Sequence, residues 1–497
     1  EAAGGRGLRA GGKEEAVAGG TARIVFVLGL IGLILLVQVV IPGLFVRSGL
    51  PGWSSVAYAA EEAADLQRIV DAARPGETVE VPPGVYAGPL VVRKPVVLAA
   101  SPSRTATIVH EGDGPAVRIE SPGAALRGFR IDDVRMKEEP TVLVVSADGA
   151  MLEDLDIRTG SIGIAVRDSA GVTVRGSRVE WGAPQARPAA KGNGIDLFRS
   201  HRALVADNAV SGMHDAIYVE MSDDARIENN TVERSRYGIH TMYSDRPEIL
   251  GNAGALNVTG AMVMTGRGAI VAGNRFARQN ENVRSQGILL FDAHEAVLRD
   301  NEVEGNRVGL YVEQSMGGDI ERNRIRSNFI GIQLIDARDN RFRHNHLSGN
   351  VADAQAIRSA DNEFRGNYWD SFRGIDADGD GLSDLGYAIN PFFLGFADRR
   401  PAFQLLFQSP GMEFLEGLFQ ADRDNWTMDT APLMEPKGSD GGNGSDGTDG
   451  ADGAHDAGHA GGSRTGAHPT GLAGVALMAA ASFLMIRLGR KRPDRRA

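Results

Sequence analysis

The chain has no cysteine. Disulfides are therefore excluded, and any transition metal it handles must be held by His, Met or carboxylate groups. Positive charge is also in short supply: 53 Lys and Arg stand against 64 Asp and Glu, a formal charge of −11. That balance excludes a surface built to wrap nucleic acid. Long apolar runs are missing from the body of the chain and occur only near its two ends.

Near the start, Arg23 precedes the run Ile24 to Val37, which continues past Gln38 to Val46 and is followed by Ala57-Tyr58-Ala59. Residues 1–59 therefore read as an export signal cut after Ala59, or as an N-terminal anchor if uncleaved. Near the end, Leu472 to Ile486 is apolar and is followed by six Arg or Lys residues from Arg487 to Arg496. Residues 472–497 read as a transmembrane anchor whose basic end stays in the cytoplasm, with everything upstream outside. Residues 437–471, rich in Gly, Asp, Ser and Ala, cannot bury a core and read as a flexible tether.

Between the ends the chain keeps a beat. Asparagines opening an Asn-x-apolar unit fall at 208, 230, 252, 274, 301, 323, 345 and 367, with steps of 22, 22, 22, 27, 22, 22 and 22. Leu155 and Ser177 hold the same position upstream. Gly194, Ala216, Gly238, Gly260, Gly287, Gly309 and Gly331 keep a second beat, each followed by an alternating pentad such as GIHTM or GLYVE. Three short strands per coil of about 22 residues describe an all-β, right-handed parallel β-helix of the pectin-lyase-like kind. The expected solenoid spans 60–387, opened by an amphipathic capping stretch at Ala64 to Ala73. It replaces the several domains that length alone suggests. The asparagines should stack at a turn. Extra residues around Trp181 to Gly192 and Gln279 to Ser285 mark inserted loops, where solenoids usually bind something.

A fixed period assigns side chains to faces. Ile195, Ile217 and Ile239 and their equivalents point inward. The outward rows read Asp196, Tyr218, His240, Met262, Leu289, Tyr311, Gln333 and Phe198, Glu220, Met242, Met264, Phe291, Glu313, Ile335. His240, Met242, Met262 and Met264 form a soft, solvent-facing donor set suited to Cu(I), with Met221, His214, Tyr218, Glu220 and Tyr243 around it as a second layer or alternative ligands. The plainer reading is an outer face that packs under a loop or a partner.

Further on, Asp376, Asp378, Asp380 and Asp384 take positions 1, 3, 5 and 9 of a D-x-D-x-D-G loop, with the Leu382 carbonyl at position 7. Hard oxygens at that spacing suit Ca²⁺. Position 12 is Tyr387, so the bidentate glutamate of an EF-hand is missing and the expectation is a structural clasp on the last coil. A plain Asp- and Gly-rich turn is the alternative.

Tandem 22-residue Asn-x-apolar coils that end in NYWD (367–370), then DADGDGLSD (376–384) and Tyr387, resemble the NosD family. Residues 401–419 (PAFQLLFQSPGMEFLEGLF) and 431–436 (APLMEP) are also similar to that family's tail. The resemblance implies an exported β-helix accessory protein for maturing the copper centres of nitrous oxide reductase. It would deliver copper or sulfur with an ABC transporter permease and its cytoplasmic ATPase, and take copper from a copper-chaperone lipoprotein. The apolar segment within 388–436, including Phe403, Leu406, Phe407, Met412, Phe414, Leu418 and Phe419, would dock on the permease or lie against the membrane. Such a protein works by binding without turnover. The rival reading is a carbohydrate-binding or carbohydrate-modifying β-helix protein, a lyase or epimerase, and a surface adhesin is a third. Glu220 and Glu313 lie far apart for an acid and base pair, and the epimerase Asp-Pro-His-Asp signature is absent.

Overall fold

A computed structural model describes residues 65–389 and 427–436, apart from 184, 185 and 281. The segments expected to form an N-terminal signal or anchor, the 403–419 docking residues, the tether and the C-terminal anchor lie outside the described residues. Among the described residues no helix is long and apolar enough to cross a membrane.

The short strands follow from alternation. In Asp215–Glu220, Tyr237–Met242 and Val308–Glu313, every second side chain is fully buried, and Gly or Ala begins each inward pentad. Three such strands per coil stack into sheets of 15, 13 and 12 strands among the described residues, parallel except for one final antiparallel pair. The result is the expected right-handed parallel β-helix. Its core is a continuous column of Ile, Val, Leu and Ala, filled toward the end by Phe276, Phe342, Phe364 and Trp369.

The asparagines do stack. Asn208, Asn230, Asn252, Asn274, Asn301, Asn323, Asn345 and Asn367 line the corner between the first and second sheets, each all but fully buried. Each Nδ2 donates to the next Oδ1 at 2.9–3.0 Å. The residue before each is left-handed, for example Asn229 at φ 56° and Gly251 at φ 63°, so Asp, Asn and Gly recur there. The glycine beat has another cause. A Cβ built on Gly260 would lie 2.5 Å from the Gly287 carbonyl oxygen, and one on Gly238 2.4 Å from that of Gly260. The next coil's backbone comes so close at these positions that only glycine fits without a shift, and the one non-glycine member of the beat, Ala216, is the smallest alternative.

Helix α1, Leu66–Ala72, caps the open end, with the Asp65 carboxylate accepting from the Arg68 amide at 3.1 Å. Leu66 and Val70 plug the core, and the Gln67 amide group imitates a strand. It accepts from the Val91 amide at 2.8 Å and donates to the Val91 carbonyl at 3.0 Å, blunting an exposed sheet edge.

The far end differs from the expected boundary at 387. Ile389 donates to the Thr427 carbonyl at 2.8 Å, and Met428–Asp429 enters the first sheet between Glu363–Arg365 and Tyr387–Ala388. Residues 431–436, expected in the docking tail, instead lie on the last coil. The Leu433 amide donates to Asn367 O at 2.9 Å and the Met434 amide to Gly381 O at 3.1 Å. Nothing in the 22-residue beat marks this return, because the returning segment carries only one strand of a coil.

Near this end Asp353 is buried in Ala352–Ile357 and accepts from the Ser371 hydroxyl. Burial raises its carboxyl from 3.8 to about 6. The folded state therefore holds a proton that the unfolded chain releases between those values, and stability falls as pH rises through this window. Asp353→Asn should stabilise the protein at pH 7.5 by roughly 2–3 kcal/mol, the equivalent of a two-unit shift, and by little at pH 3.5. Thermal melts at the two pH values check this; an equal effect at both would contradict it.

Candidate functional site

The third sheet carries the outward rows in the expected register. Tyr218 pairs with His240, His240 with Met262, Met262 with Leu289 and Leu289 with Tyr311. Glu220, Met242, Met264, Phe291 and Glu313 run alongside. His240 and Met262 are therefore vertical neighbours, about 4.8 Å apart along the axis, and so are Met242 and Met264.

Their exposure corrects the solvent-facing expectation. His240 is only 5% exposed and Met262 8%. Alternation fixes which way a side chain leaves the sheet, but not what stands over it. Here the rings of Tyr218 and Tyr237 each sit 5.0 Å from the His240 ring, the second edge-on. Met242 and Met264 are half-buried.

The six candidate copper ligands do not share one point. His214 and Met221 flank Asp215–Glu220 at opposite ends, seven residues apart, so extended chain separates them by roughly 23 Å. Met221 is 43% exposed at a left-handed corner of φ 48°. The four residues of the two central coils are the compact set.

Sequence reasoning missed what holds this set. Asp215, 1% exposed, accepts from His240 Nδ1 at 3.0 Å and from Arg236 Nε and a terminal nitrogen at 2.9 and 2.8 Å. His214 Nδ1 lies 3.8 Å from its other oxygen. Burial alone would raise the Asp215 carboxyl, but the hydrogen bonds from His240 and Arg236 outweigh it and hold the group below the ordinary range. Asp215 is thus an ionised acceptor, and Nδ1 of His240 must carry hydrogen. In the neutral ring Nε2 keeps its lone pair, and Nε2 is buried with no hydrogen-bond partner. An oriented imidazole whose far nitrogen is free is how proteins present histidine to a metal. The signal was in the register: Asp215 stands where later coils carry Tyr237, Thr259, Gln286, Val308 and Ile330.

Around the set, burial pushes the Tyr218 phenol well up, so it stays a donor, to Glu220 at 3.0 Å. Burial likewise holds His214 below its usual value.

In the Asp loop, the carboxylates of Asp376, Asp378 and Asp380 offer oxygens within 4.8 Å of one another, the single such group among the described residues. Gly379 and Gly381 make the sharp turn at φ 77° and 84°. The Gly381 and Gly379 amides donate to Asp376 and hold its carboxyl below the usual range. Asp384 instead accepts from the Ala377 amide at 2.8 Å, and the Leu382 amide donates to Asp380 at 2.8 Å. Three of the four expected carboxylates come together.

A family model described as periplasmic copper-binding protein (NosD) matches residues 182–374. The chain is 31% identical over 377 residues to a probable ABC transporter binding protein NosD of Pseudomonas aeruginosa, covering 71% of this chain and 86% of that one. A protein of the same description from Stutzerimonas stutzeri is 27% identical with the same coverage. Among solved structures, the A-module of a mannuronan C-5 epimerase of Azotobacter vinelandii matches 62% of this chain and 95% of its own at a TM-score of 0.53. At 14% identity that likeness is one of fold alone.

Proposed function

Because the chain belongs to the NosD family, we propose that it is an extracytoplasmic accessory protein that presents Cu(I), as cargo, to the maturing copper centres of nitrous oxide reductase. It works beside an ABC transporter, whose permease takes the 403–419 segment and whose ATPase acts from the cytoplasm, and a copper-chaperone lipoprotein supplies the metal. The protein binds and hands on without turnover. The family description supports copper and a location outside the cytoplasm, and the relatives' names support the transporter.

The observation that carries this reading is the unpartnered Nε2 of His240, set by Asp215, with the Met262 thioether in the next coil. Nitrogen and thioether sulfur suit a soft monovalent cation, and no cysteine competes for it. Anaerobic Cu(I) titration against a chromophoric chelator tests it. His240→Ala and the double variant Met262→Leu/Met264→Leu should each weaken binding at least about tenfold, and Asp215→Asn by a similar factor through ring orientation. Affinities equal to wild type in all three would remove the site.

The Asp loop supports a second, structural role for Ca²⁺, held by Asp376, Asp378 and Asp380 against the segment that closes the solenoid. Calcium added after chelation should raise the melting temperature, and Asp376→Asn should abolish that rise. Identical melting with and without calcium would discard the clasp.

A further inference from the structure

The tripeptide Tyr-Val-Glu occurs twice on the third sheet, at 218–220 and 311–313, in the same register and the same pose. The Tyr218 hydroxyl donates to Glu220 at 3.0 Å, and that of Tyr311 to Glu313 at 2.8 Å. All four side chains are half-buried, pointing outward. The two pairs are separated by four coil steps, which at the spacing of neighbouring strands is roughly 19 Å. Between them lie the coils of His240, Met262 and Leu289, an apolar and thioether band without a carboxylate in either outward row.

Many other acidic side chains on the solenoid are matched by arginine, among them Glu228 with Arg226, Glu304 with Arg326 and Asp300 with Arg322. Glu220 and Glu313 have a tyrosine in that place, and no salt bridge reaches either among the described residues. A phenol fixes the carboxylate's direction and leaves its charge uncompensated. Two anions of fixed direction, bracketing a soft apolar strip, complement a partner with an apolar tip and a basic side chain on either side of it.

We infer that Glu220 and Glu313 are the two jaws of a docking clamp for a copper-carrying protein partner whose metal-bearing tip is flanked by two Lys or Arg side chains roughly 19 Å apart. The copper part of this statement rests on the reading of the face given above; the clamp rests on the two Tyr-Glu pairs. Tyr218 and Tyr311 are positioning residues for the jaws.

Two synthetic helical peptides with a central methionine test the clamp. One carries lysines fourteen residues apart, which the rise of about 1.5 Å per residue puts on one face roughly 21 Å apart; the other carries them seven apart, roughly 10 Å. The wide peptide should bind the full chain at least about tenfold more tightly than the narrow one, with a preference that shrinks as salt is raised. Glu220→Gln/Glu313→Gln should erase the preference while leaving thermal melting unchanged, and each single variant should leave part of it. Copper-free peptides with leucine for methionine separate the two claims, because the spacing preference should persist there even if Cu(I) binding fails. Equal binding of wide and narrow peptides, no binding of either, or a preference that survives the double variant would overturn the clamp.

Discussion

Asp429→Ala is expected to loosen the last coils of the solenoid by roughly 3–5 kcal/mol, the loss of three buried donor contacts to a charged acceptor. One Asp429 oxygen accepts from the Asn367 amide at 3.1 Å, from Asn367 Nδ2 at 2.9 Å and from Trp369 Nε1 at 3.0 Å. The residue is fully buried. It ends the asparagine ladder, and the chemistry of the end position explains why the amide gives way to a carboxylate there. Every asparagine in the ladder both accepts from the coil before and donates to the coil after. The terminal member has no asparagine to donate to, so an acceptor-only group fits. Each coil leans mainly on its neighbours, so the damage should stay local. Native-state hydrogen exchange should show lost protection at Asn367 and Trp369 with coils near Asn208 unaffected. Asp429→Asn keeps an acceptor and should lose much less. Unchanged protection in the alanine variant would contradict the capping role.

In the middle of the ladder the same logic predicts the opposite tolerance. Asn252 accepts from the Asn230 amide at 2.8 Å and from Asn230 Nδ2 at 2.9 Å, and donates to Ile227 O at 2.9 Å and Asn274 Oδ1 at 3.0 Å. Asn252→Ala removes four buried hydrogen bonds and strands the Asn230 amide, while Asn230 Nδ2 keeps Val205 O and Asn274 Oδ1 keeps the amide of residue 252, so it should cost roughly 2–4 kcal/mol. Asn252→Asp keeps both acceptor contacts but sets a carboxylate against two oxygens, so it should be no better than alanine. Chemical denaturation of the two variants checks this. An aspartate at 252 tolerated as well as wild type would show that the ladder's direction is immaterial.

The contrast between 252 and 429 also shows how far the sequence could be read. The period placed every ladder asparagine, the inward residues of the third sheet from Ile195 to Leu334 and the outward rows beside them, because a repeat converts spacing directly into register. It could not place Asp429, which meets Asn367 from 62 residues away and lies outside the beat. Nor could it give the exposure of His240, which depends on the rings of Tyr218 and Tyr237 standing over it. Asp215 was visible only as a charged residue in a column of uncharged ones, a clue whose meaning needed the distance to Nδ1. The glycine beat was legible as a marker, but its cause, a carbonyl of the next coil within van der Waals contact, was not. The Asp loop was legible as a cation-binding pattern, though Asp384 turned out to hold the Ala377 amide.

The central claim is that this protein loads copper into another. Its most direct test is the copper content of nitrous oxide reductase purified from a denitrifier that lacks its own NosD, with and without this gene, partners matched. Restored copper with wild type, and a copper-poor enzyme with the His240→Ala variant, is the predicted result. A reductase equally copper-poor with and without the gene would contradict the account.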